Sequence, residues 1–236
     1  MRVACVIVAE VLDQLKPRVV PGVNTLQLND FAEREAVKRG AKPAFKGYSG
    51  YPFALCCSVN NEVVHGMPSL SPLKNGDILS LDFGVVFDGY YGDAAVTLPV
   101  GKISDKAQKL LTVTEEALAM AIEAAKPSNR LSDISYAVQH YVETMGFSVV
   151  RDFVGHGIGK QLHESPQIPN YGPPGKGIKL KPGMVFAIEP MVNELGPDVK
   201  VLSDGWTAVT SDGGLSAHFE HTVAITANGP EILTRI

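Results

Sequence analysis

Two ten-residue segments of the sequence resemble each other, and each ends in an acidic residue. Leu73 to Asp82 reads L-K-N-G-D-I-L-S-L-D, and Leu180 to Glu189 reads L-K-P-G-M-V-F-A-I-E. Each predicts a turn followed by an apolar strand that ends in a carboxylate. Such a buried carboxylate is unfavourable unless something neutralises it. Because the pattern occurs twice, we expect two related half-structures that bring carboxylates to one shared place, where a metal ion is their simplest partner.

The order of the predicted elements also repeats along the chain. In each half, a helix, a Lys-Pro stop and a second helix ending at a glycine precede the strands. The predicted helices cover residues 3–15, 25–40, 105–126 and 131–146, with Thr25 as the second N-cap and Ser104 or Asp105 as the third. We therefore expect an α+β fold, a pseudo-twofold pair of halves whose antiparallel sheet is covered by helices on one face. Residues 1–236 are predicted to form a single domain, with halves of roughly 1–100 and 101–236.

A hairpin in the first half fixes the relative positions of two aspartates. A strand is predicted at 59–64, and the hairpin after it has a strand at 77–86, a two-residue turn at Asp88-Gly89 and a return strand at 94–98. Counting back from the turn puts Gly84 opposite Asp93, so Asp82 and Asp93 lie on one face as diagonal neighbours. Two like charges so placed repel each other, and a bound cation removes that repulsion. The alternative, one exposed aspartate and one that caps the hairpin, is disfavoured by the apolar residues before Asp82.

Two glutamates in the second half extend the set of candidate ligands. Glu189 follows four apolar residues in V-F-A-I-E-P, which argues against a strand end facing solvent. Glu220 lies in A-H-F-E-H-T-V, where alternation puts His218, Glu220 and Thr222 on one strand face. Taken alone, Glu220 has a strong alternative interpretation as an ordinary strand acid.

Three histidines lie in glycine- or proline-containing segments between the acidic strands. His156 is in F-V-G-H-G-I-G-K, where the glycines let the backbone bend tightly and expose the imidazole. A phosphate-binding loop is the alternative for this segment, but the Walker lysine pattern is missing. His65 is in V-V-H-G-M-P and His163 is in L-H-E-S-P. A lone histidine is more often structural than catalytic, but three in such segments favour a site.

The overall composition narrows the functional classes. With a net charge of −4 and no dense Lys/Arg run, the 236-residue chain is not expected to bind nucleic acid. No apolar run approaches the ~18 to 20 residues that cross a bilayer, and the N-terminal segment predicts an amphipathic helix instead of a signal peptide. Three cysteines, two of them adjacent, give no disulfide framework, so we expect a protein of the reducing cytoplasm.

The acidic residues and the first glycine-flanked histidine together resemble the ligand set of a known family. In order and type, the methionine aminopeptidases, dinuclear metallopeptidases of the pita-bread fold, carry five metal ligands that match Asp82, Asp93, His156, Glu189 and Glu220. The likeness covers essentially the whole chain, through the motifs N-E-V-V-H-G (61–66), D-G-Y-Y-G-D (88–93), G-H-G-I-G (155–159), H-E-S-P (163–166), I-E-P (188–190), D-G-W-T (204–207) and F-E-H-T (219–222). The short span between His163 and Glu189 resembles the type I enzymes, without an N-terminal zinc-finger extension. Relatives usually carry one more short segment before the first helix, and residues 194–203 show little resemblance.

The resemblance implies a site for two divalent metal ions per chain. Asp82 would bind one metal, and His156 and Glu189 would bind the other. Asp93 and Glu220 would bridge both. Such oxygen-rich coordination favours Co, Mn, Fe or Zn. In this family a hydroxide that bridges the metals attacks the first peptide bond, so the implied reaction is hydrolytic removal of the N-terminal methionine from nascent proteins and peptides.

The resemblance also assigns catalytic roles to three side chains. Glu189 would serve as a proton shuttle as well as a ligand. His163 would donate a hydrogen bond to the carbonyl oxygen and stabilise the tetrahedral oxyanion. His65 would contact the scissile amide nitrogen or its leaving group.

An apolar pocket for the methionine side chain is implied as well. Its lining residues would be Tyr48, Tyr51, Cys56, Leu162 and Trp206, with His65 and His163 also contacting the substrate. Aromatic rings suit a thioether sulfur. Leu162 departs from the family, which often has phenylalanine there. The alternative is that Tyr48 and Tyr51 pack a glycine-rich loop and that Trp206 belongs to the core.

Other functions fit the sequence less well. A proline-specific peptidase of the same fold would add a large N-terminal domain and a further histidine just before G-H-G, where this chain reads R-D-F-V. A binding protein that has lost catalysis would lack some ligands, and a two-metal phosphoesterase would need cationic groups near the metals. The implied partners are nascent polypeptide N-termini and peptides beginning with Met, with transient ribosome association and no membrane or nucleic-acid substrate. A cytoplasmic monomer is expected.

Overall fold

Four α-helices form one layer of the protein, whose computed structural model describes residues 1–236. They are α1 (Arg2–Leu15), α2 (Thr25–Lys38), α3 (Asp105–Ala124) and α4 (Leu131–Thr144), with short 3-10 turns at Lys16–Arg18 and Tyr48–Gly50. The third helix begins after Ser104, whose Oγ accepts a hydrogen bond from the Ala107 N–H at 3.1 Å. None of these helices combines the length and the apolar character that crossing a membrane requires.

Fifteen strands make up the other layer, and most are short. In the first part of the chain they are β1 (Lys42–Pro43), β2 (Leu55–Val59), β3 (Glu62–Val64), β4 (Ile78–Phe87) and β5 (Tyr90–Pro99). In the second part they are β6 (Ser148–Val149), β7 (Gly155–Gly157), β8 (Glu164–Ile168), β9 (Val185–Ile188), β10 (Met191–Asn193), β11 (Val199–Val201), β12 (Ala208–Thr210), β13 (Ser216–His218), β14 (Glu220–Thr226) and β15 (Gly229–Ile232).

A nine-stranded sheet runs through the whole molecule in the order β1-β4-β5-β14-β9-β7-β8, with β2 added to β4 and β15 added to β14. Every pairing in it is antiparallel. Two three-stranded sheets flank it, in the orders β13-β10-β6 and β11-β12-β3. The α+β prediction is therefore confirmed.

Two hydrophobic cores lie between the helices and this sheet. The first contains Leu15 of α1, Leu28 of α2 and Phe83 of β4, all buried. The second contains Leu110 of α3 and Phe186 of β9. Helices α1 and α3 contact strands of the same sheet, which places both cores on its helical side. The interpretation of residues 1–100 and 101–236 as two related halves of one domain stays a prediction.

The register of the β4–β5 hairpin agrees with the one counted from the Asp88-Gly89 turn. Gly84 pairs with Asp93, and Asp82 pairs with Ala95. The register could be counted from the sequence because side chains alternate between the two faces of a strand and the turn has two residues.

Two local predictions were wrong. Asn24, not Thr25, is the N-cap of α2: its Oδ1 accepts from the Gln27 N–H at 3.0 Å, and the Gln27 side chain accepts from the Asn24 N–H in return. The Thr25 hydroxyl instead accepts from the Ser69 N–H at 2.8 Å, so it is committed to another segment. The strand expected at 59–64 is interrupted after Val59 because Asn60 adopts a left-handed conformation with φ of 56°, which asparagine tolerates in turns.

Gly92 in β5 lets the first helix lie directly on the sheet. A Cβ added there would meet the Cys5 N at 2.7 Å and the Ala4 C at 2.9 Å, both backbone atoms of α1. We expect Gly92→Ala to lower the free energy of unfolding by about 1–3 kcal/mol, because the helix backbone must move away from the sheet. Urea unfolding measures this, with Gly196→Ala as control because an added Cβ there meets only the Asp212 carboxylate. Equal stability of the two variants would contradict the tight contact.

Candidate metal centre

The candidate ligands occupy neighbouring strands of the large sheet. In spatial order β4, β5, β14, β9 and β7 lie side by side. They carry, in that order, Asp82, Asp93, Glu220, Glu189 and His156, with Glu189 immediately after the end of β9. These five residues are far apart in sequence, but they come together because their strands are neighbours in the sheet.

Gly84 of the hairpin pairs with Asp93 and makes room for its carboxylate. A Cβ at this glycine would lie 3.1 Å from the Asp93 Oδ1 and 2.9 Å from the Phe45 ring, so the absence of a side chain accommodates both groups. The Oδ1 atoms of Asp82 and Asp93 are both inaccessible to water and lack a hydrogen-bond partner. These two oxygens therefore lack a group that would balance their negative charge.

The second half brings three more ligand-type groups close to the two aspartates. One ligand atom each from Asp93, His156 and Glu220 lies within 4.8 Å of the others. The His156 Nε2 is 3.5 Å from a carboxylate oxygen of Glu189. The Glu220 Oε1 is a further buried atom without a partner. Acidic oxygens and one imidazole nitrogen thus face a single small volume.

Burial and mutual repulsion perturb the acid–base behaviour of these groups. Burial raises the pKa of Asp82 to about 7. The pKa values of Asp93, Glu189 and Glu220 lie well above their usual range, first because of burial and then because of the neighbouring carboxylates. Burial lowers the pKa of His156 to about 4, which keeps this imidazole neutral. A neutral imidazole beside clustered carboxylates is the donor set of a divalent transition-metal site, and the buried oxygens without partners fit such an ion.

These shifts predict how the stability of the metal-free protein depends on pH. The folded Asp82 holds a proton up to about pH 7, against an ordinary pKa of 3.8, so its contribution to stability falls as the pH rises through that range. His156 acts in the opposite direction, but only between about pH 4 and its ordinary pKa of 6.5. We therefore expect the melting temperature of chelator-stripped protein to fall over the interval above about pH 6.5, where Asp82 and then the carboxyls of Asp93, Glu189 and Glu220 lose their protons. A melting temperature that rises over this interval would contradict the buried-carboxylate account.

A cavity of about 190 Å³ opens directly above these carboxylates. Its lining includes every site residue predicted from the sequence, namely Tyr48, Tyr51, Cys56, His65, Asp82, Asp93, His156, Leu162, His163, Glu189, Trp206 and Glu220. Phe45 and Ser49 also line it and were not predicted. The carboxylates and the predicted side-chain pocket are therefore parts of one cleft.

The apolar wall of the cavity is built around Tyr51. Its ring meets that of Trp206 edge to face, with centroids 5.2 Å apart. Its hydroxyl donates to the Gly66 carbonyl at 3.0 Å, which fixes the ring. Cys56 lies on β2 directly opposite Asp82, and Leu162 is buried in the same small cluster. The alternative of a separate core position for Trp206 is not what the structure shows, since this side chain is partly exposed in the cavity wall.

Two histidines outside the ligand group line the same cavity. His65 has a left-handed backbone with φ of 60°, and burial lowers its pKa to about 4. The His163 ring lies 4.3 Å from that of His156, centroid to centroid. The His163 Nδ1 is 2.7 Å from the Tyr48 hydroxyl. Both imidazoles can therefore reach a molecule held above the carboxylates.

His218 approaches the site although no role was predicted for it. Its Nε2 is buried, has no hydrogen-bond partner and lies 3.7 Å from the second carboxylate oxygen of Glu189. Burial lowers the pKa of this imidazole to about 3. The strand alternation that put His218 on the face of Glu220 was the available signal. Phe45 carried no comparable signal, because its position depends on the loop before β2.

Comparison with known proteins defines the class of the molecule. The profile of metallopeptidase family M24 matches residues 1–227, and the chain belongs to this family. Methionine aminopeptidase 1 of Bacillus subtilis is 57% identical over 236 residues, which cover 100% of this chain and 95% of that protein. Within the family, the chain is a member of the methionine aminopeptidases.

Solved structures give the same grouping. The crystal structure of the methionine aminopeptidase of Thermotoga maritima superposes with a TM-score of 0.99 at 51% identity, covering 100% of this chain and 95% of that one. A prolidase from Pyrococcus furiosus superposes with a TM-score of 0.81 at 25% identity, but only 62% of its chain is covered. The pita-bread fold and the resemblance to type I methionine aminopeptidases are therefore confirmed. The family and the ligand cluster together support divalent metal binding.

Proposed function

We propose that this chain removes the N-terminal methionine from nascent proteins and peptides by hydrolysis. The observation that carries the proposal is the single cavity in which a cluster of acidic residues and histidines meets an aromatic pocket. Full-length likeness to methionine aminopeptidases supports it. An exopeptidase needs such an arrangement, because the reacting bond must lie over the catalytic groups while the terminal side chain is bound beside them.

The metal ligands in this proposal are Asp82, Asp93, His156, Glu189 and Glu220. We propose two divalent ions per chain, from among Co, Mn, Fe and Zn, because oxygen ligands with one imidazole suit these metals. When bound, two such ions supply a strong nucleophile at neutral pH and stabilise developing negative charge. Asp93 and Glu220 lie between the other ligands in the sheet, which suits them to contact both ions.

The protein's own groups hold and move protons around the reacting bond. Glu189 accepts a proton from the attacking water and returns it to the departing amine, because its carboxylate lines the same cavity as the reacting bond. His163 donates a hydrogen bond to the carbonyl oxygen as that oxygen becomes negative. His65 faces the same cavity and contacts the nitrogen of the bond that is cleaved.

Selectivity for methionine follows from the shape and chemistry of the apolar wall. Tyr51, Cys56 and Trp206 line the cavity, and none of them is charged at neutral pH. Aromatic rings attract a thioether sulfur through contacts of about 0.3–1.5 kcal/mol. Leu162, where the family often has phenylalanine, leaves this wall aliphatic on one side.

The setting of the reaction follows from its substrate. Polypeptides that still carry their first methionine are newly made, so we propose that the enzyme acts in the cytoplasm and associates transiently with ribosomes. A monomer contains all of the proposed site, since every ligand comes from one chain.

The test is release of the first residue from Met-Ala-Ser and from Ala-Pro-Phe. Chelator-stripped protein is resupplied in turn with Mn, Fe, Co or Zn. We expect metal-dependent cleavage of Met-Ala-Ser alone. Cleavage of only the proline substrate would move the assignment to a proline-specific peptidase, and no cleavage with any metal would overturn the peptidase proposal.

A further inference from the structure

The Tyr48 side chain joins the apolar pocket to a catalytic histidine. Its ring lines the cavity, and its hydroxyl lies 2.7 Å from the His163 Nδ1. The two rings are 5.1 Å apart between centroids and tilted by 48°. A wall residue that only packed against the substrate would not need this polar contact, so the geometry points to a second role.

We propose that Tyr48 is a positioning residue whose hydroxyl donates to the His163 Nδ1 and thereby keeps the imidazole proton on Nε2. The inference rests on the proposed function, in which His163 donates a hydrogen bond to the carbonyl oxygen. Because Nδ1 is occupied by Tyr48, Nε2 is the nitrogen left to face the substrate.

The chemistry of neutral imidazole requires such a partner. One ring nitrogen of a neutral histidine is a donor and the other is an acceptor. If the proton were on Nδ1, the lone pair of Nε2 would face the carbonyl oxygen and repel it. A tyrosine hydroxyl can donate or accept, and where it donates to Nδ1 the imidazole proton is held on Nε2. A protonated ring would donate from both nitrogens, so this choice arises in the neutral ring.

The backbone around Tyr48 is shaped to deliver the hydroxyl. Gly47, Ser49 and Gly50 all have positive φ, of 88°, 48° and 91°. The turn is closed by hydrogen bonds between Gly47 and Tyr51 at 2.7 Å and between Tyr51 and Tyr48 at 2.9 Å. Left-handed backbone at a residue other than glycine costs free energy and persists where the surrounding structure determines it. Here the tight turn projects Tyr48 toward a segment more than a hundred residues away in sequence.

One consequence is that side-chain binding and chemistry are coupled. A methionine side chain in the pocket contacts the Tyr48 ring, and the same ring orients His163. Interactions with a remote part of the substrate then raise kcat as well as lower KM. We expect the kcat for methionine peptides to depend on the Tyr48 hydroxyl.

The experiment compares Tyr48→Phe with Tyr136→Phe, which alters an exposed tyrosine of α4 that does not line the cavity. Phenylalanine keeps the ring in the wall and removes only the hydroxyl. We expect Tyr48→Phe to lower kcat for Met-Ala-Ser by about five- to a hundredfold with little change in KM, less than the loss of an oxyanion donor itself. A raised KM with unchanged kcat would reduce Tyr48 to a wall residue and overturn the proposal.

A double-mutant cycle with His163→Ala shows whether the effect passes through the histidine. In the His163→Ala background, Tyr48→Phe should lower kcat less than twofold, because there is no ring left to orient. Equal effects in both backgrounds would overturn the proposal.

A spectroscopic measurement tests the tautomer of His163 without relying on catalysis. In ¹⁵N-histidine-labelled, metal-free protein, we expect the His163 nitrogens to show a fixed Nε2–H tautomer that becomes averaged in Tyr48→Phe. An Nδ1–H tautomer, or spectra unchanged by the substitution, would sink the idea. If the wild-type protein cleaved no peptide, the proposed function would fail, while these spectra would still decide whether Tyr48 sets the tautomer.

Discussion

Asp93→Asn is expected to remove peptidase activity and metal binding together. The substitution preserves size but takes one negative charge from the centre of the ligand group, where Asp93, His156 and Glu220 approach within 4.8 Å. We expect activity on Met-Ala-Ser to fall at least about 10³-fold and bound metal to drop well below the wild-type content. Elemental analysis of dialysed protein and a peptide-release assay measure the two quantities on the same sample.

The same variant should stabilise the metal-free protein. Burial and the Asp82 charge hold the pKa of Asp93 well above its usual value, so folding must either add a proton to this carboxyl or bury its charge, and an uncharged amide avoids both costs. The backbone of Asp93 stays anchored, because Thr222 accepts from its N–H at 3.1 Å and donates to its carbonyl at 2.7 Å. Asp88→Asn, at the exposed turn of the same hairpin, is the control and should change neither metal content nor activity. An active, metal-loaded Asp93→Asn enzyme would exclude Asp93 as a ligand.

His163→Ala is expected to give the second largest effect, and it differs in kind. The imidazole lines the cavity beside His156 but has its Nδ1 occupied by Tyr48, so it is placed to meet the substrate. Loss of one oxyanion donor typically lowers kcat by roughly 10²–10³-fold. We expect that loss in kcat, with metal content equal to that of the wild type. Steady-state kinetics and elemental analysis of the same preparations show whether His163 acts as an oxyanion donor or as a metal ligand.

A histidine away from the cavity provides the comparison for this variant. His140 lies on α4, where it stacks on Tyr136. His140→Ala should leave kcat and metal content at wild-type levels. If His163→Ala lost its metal, His163 would be a ligand and not an oxyanion donor.

The sequence predicted most closely those features that depend on short-range rules. The register that puts Asp82 and Asp93 on one face needed only strand alternation and a two-residue turn. The helices were recognised from proline stops, glycine ends and apolar spacing. The N-cap of α2 was missed because Asn24 and Thr25 are both good capping residues, and the contact of Thr25 with Ser69 is tertiary.

Features that depend on several segments could not be predicted in this way. Phe45 enters the cavity because Gly84, far away in the sequence, leaves room for its ring. His218 reaches Glu189 because β13 and β10 pair in a small separate sheet. The convergence of the ligands followed from the family resemblance more than from residue patterns, since the order of β4, β5, β14, β9 and β7 is a property of the whole sheet. Direct assignment of each ligand stays a prediction until the variants are measured.

The seam between β5 and β14 has a consequence for the enzyme's own synthesis. Asp82 and Asp93 are made early, but Glu220 begins the strand that pairs with Ala95 and closes the ligand group. A metal that binds only the completed group would stabilise only molecules in which β14, which is made late, has docked. The bound metal would then hold β5 and β14 together, and activity would appear only in molecules that have folded completely. A protein that trims newly made chains is thereby kept inert for as long as it is an unfinished chain itself.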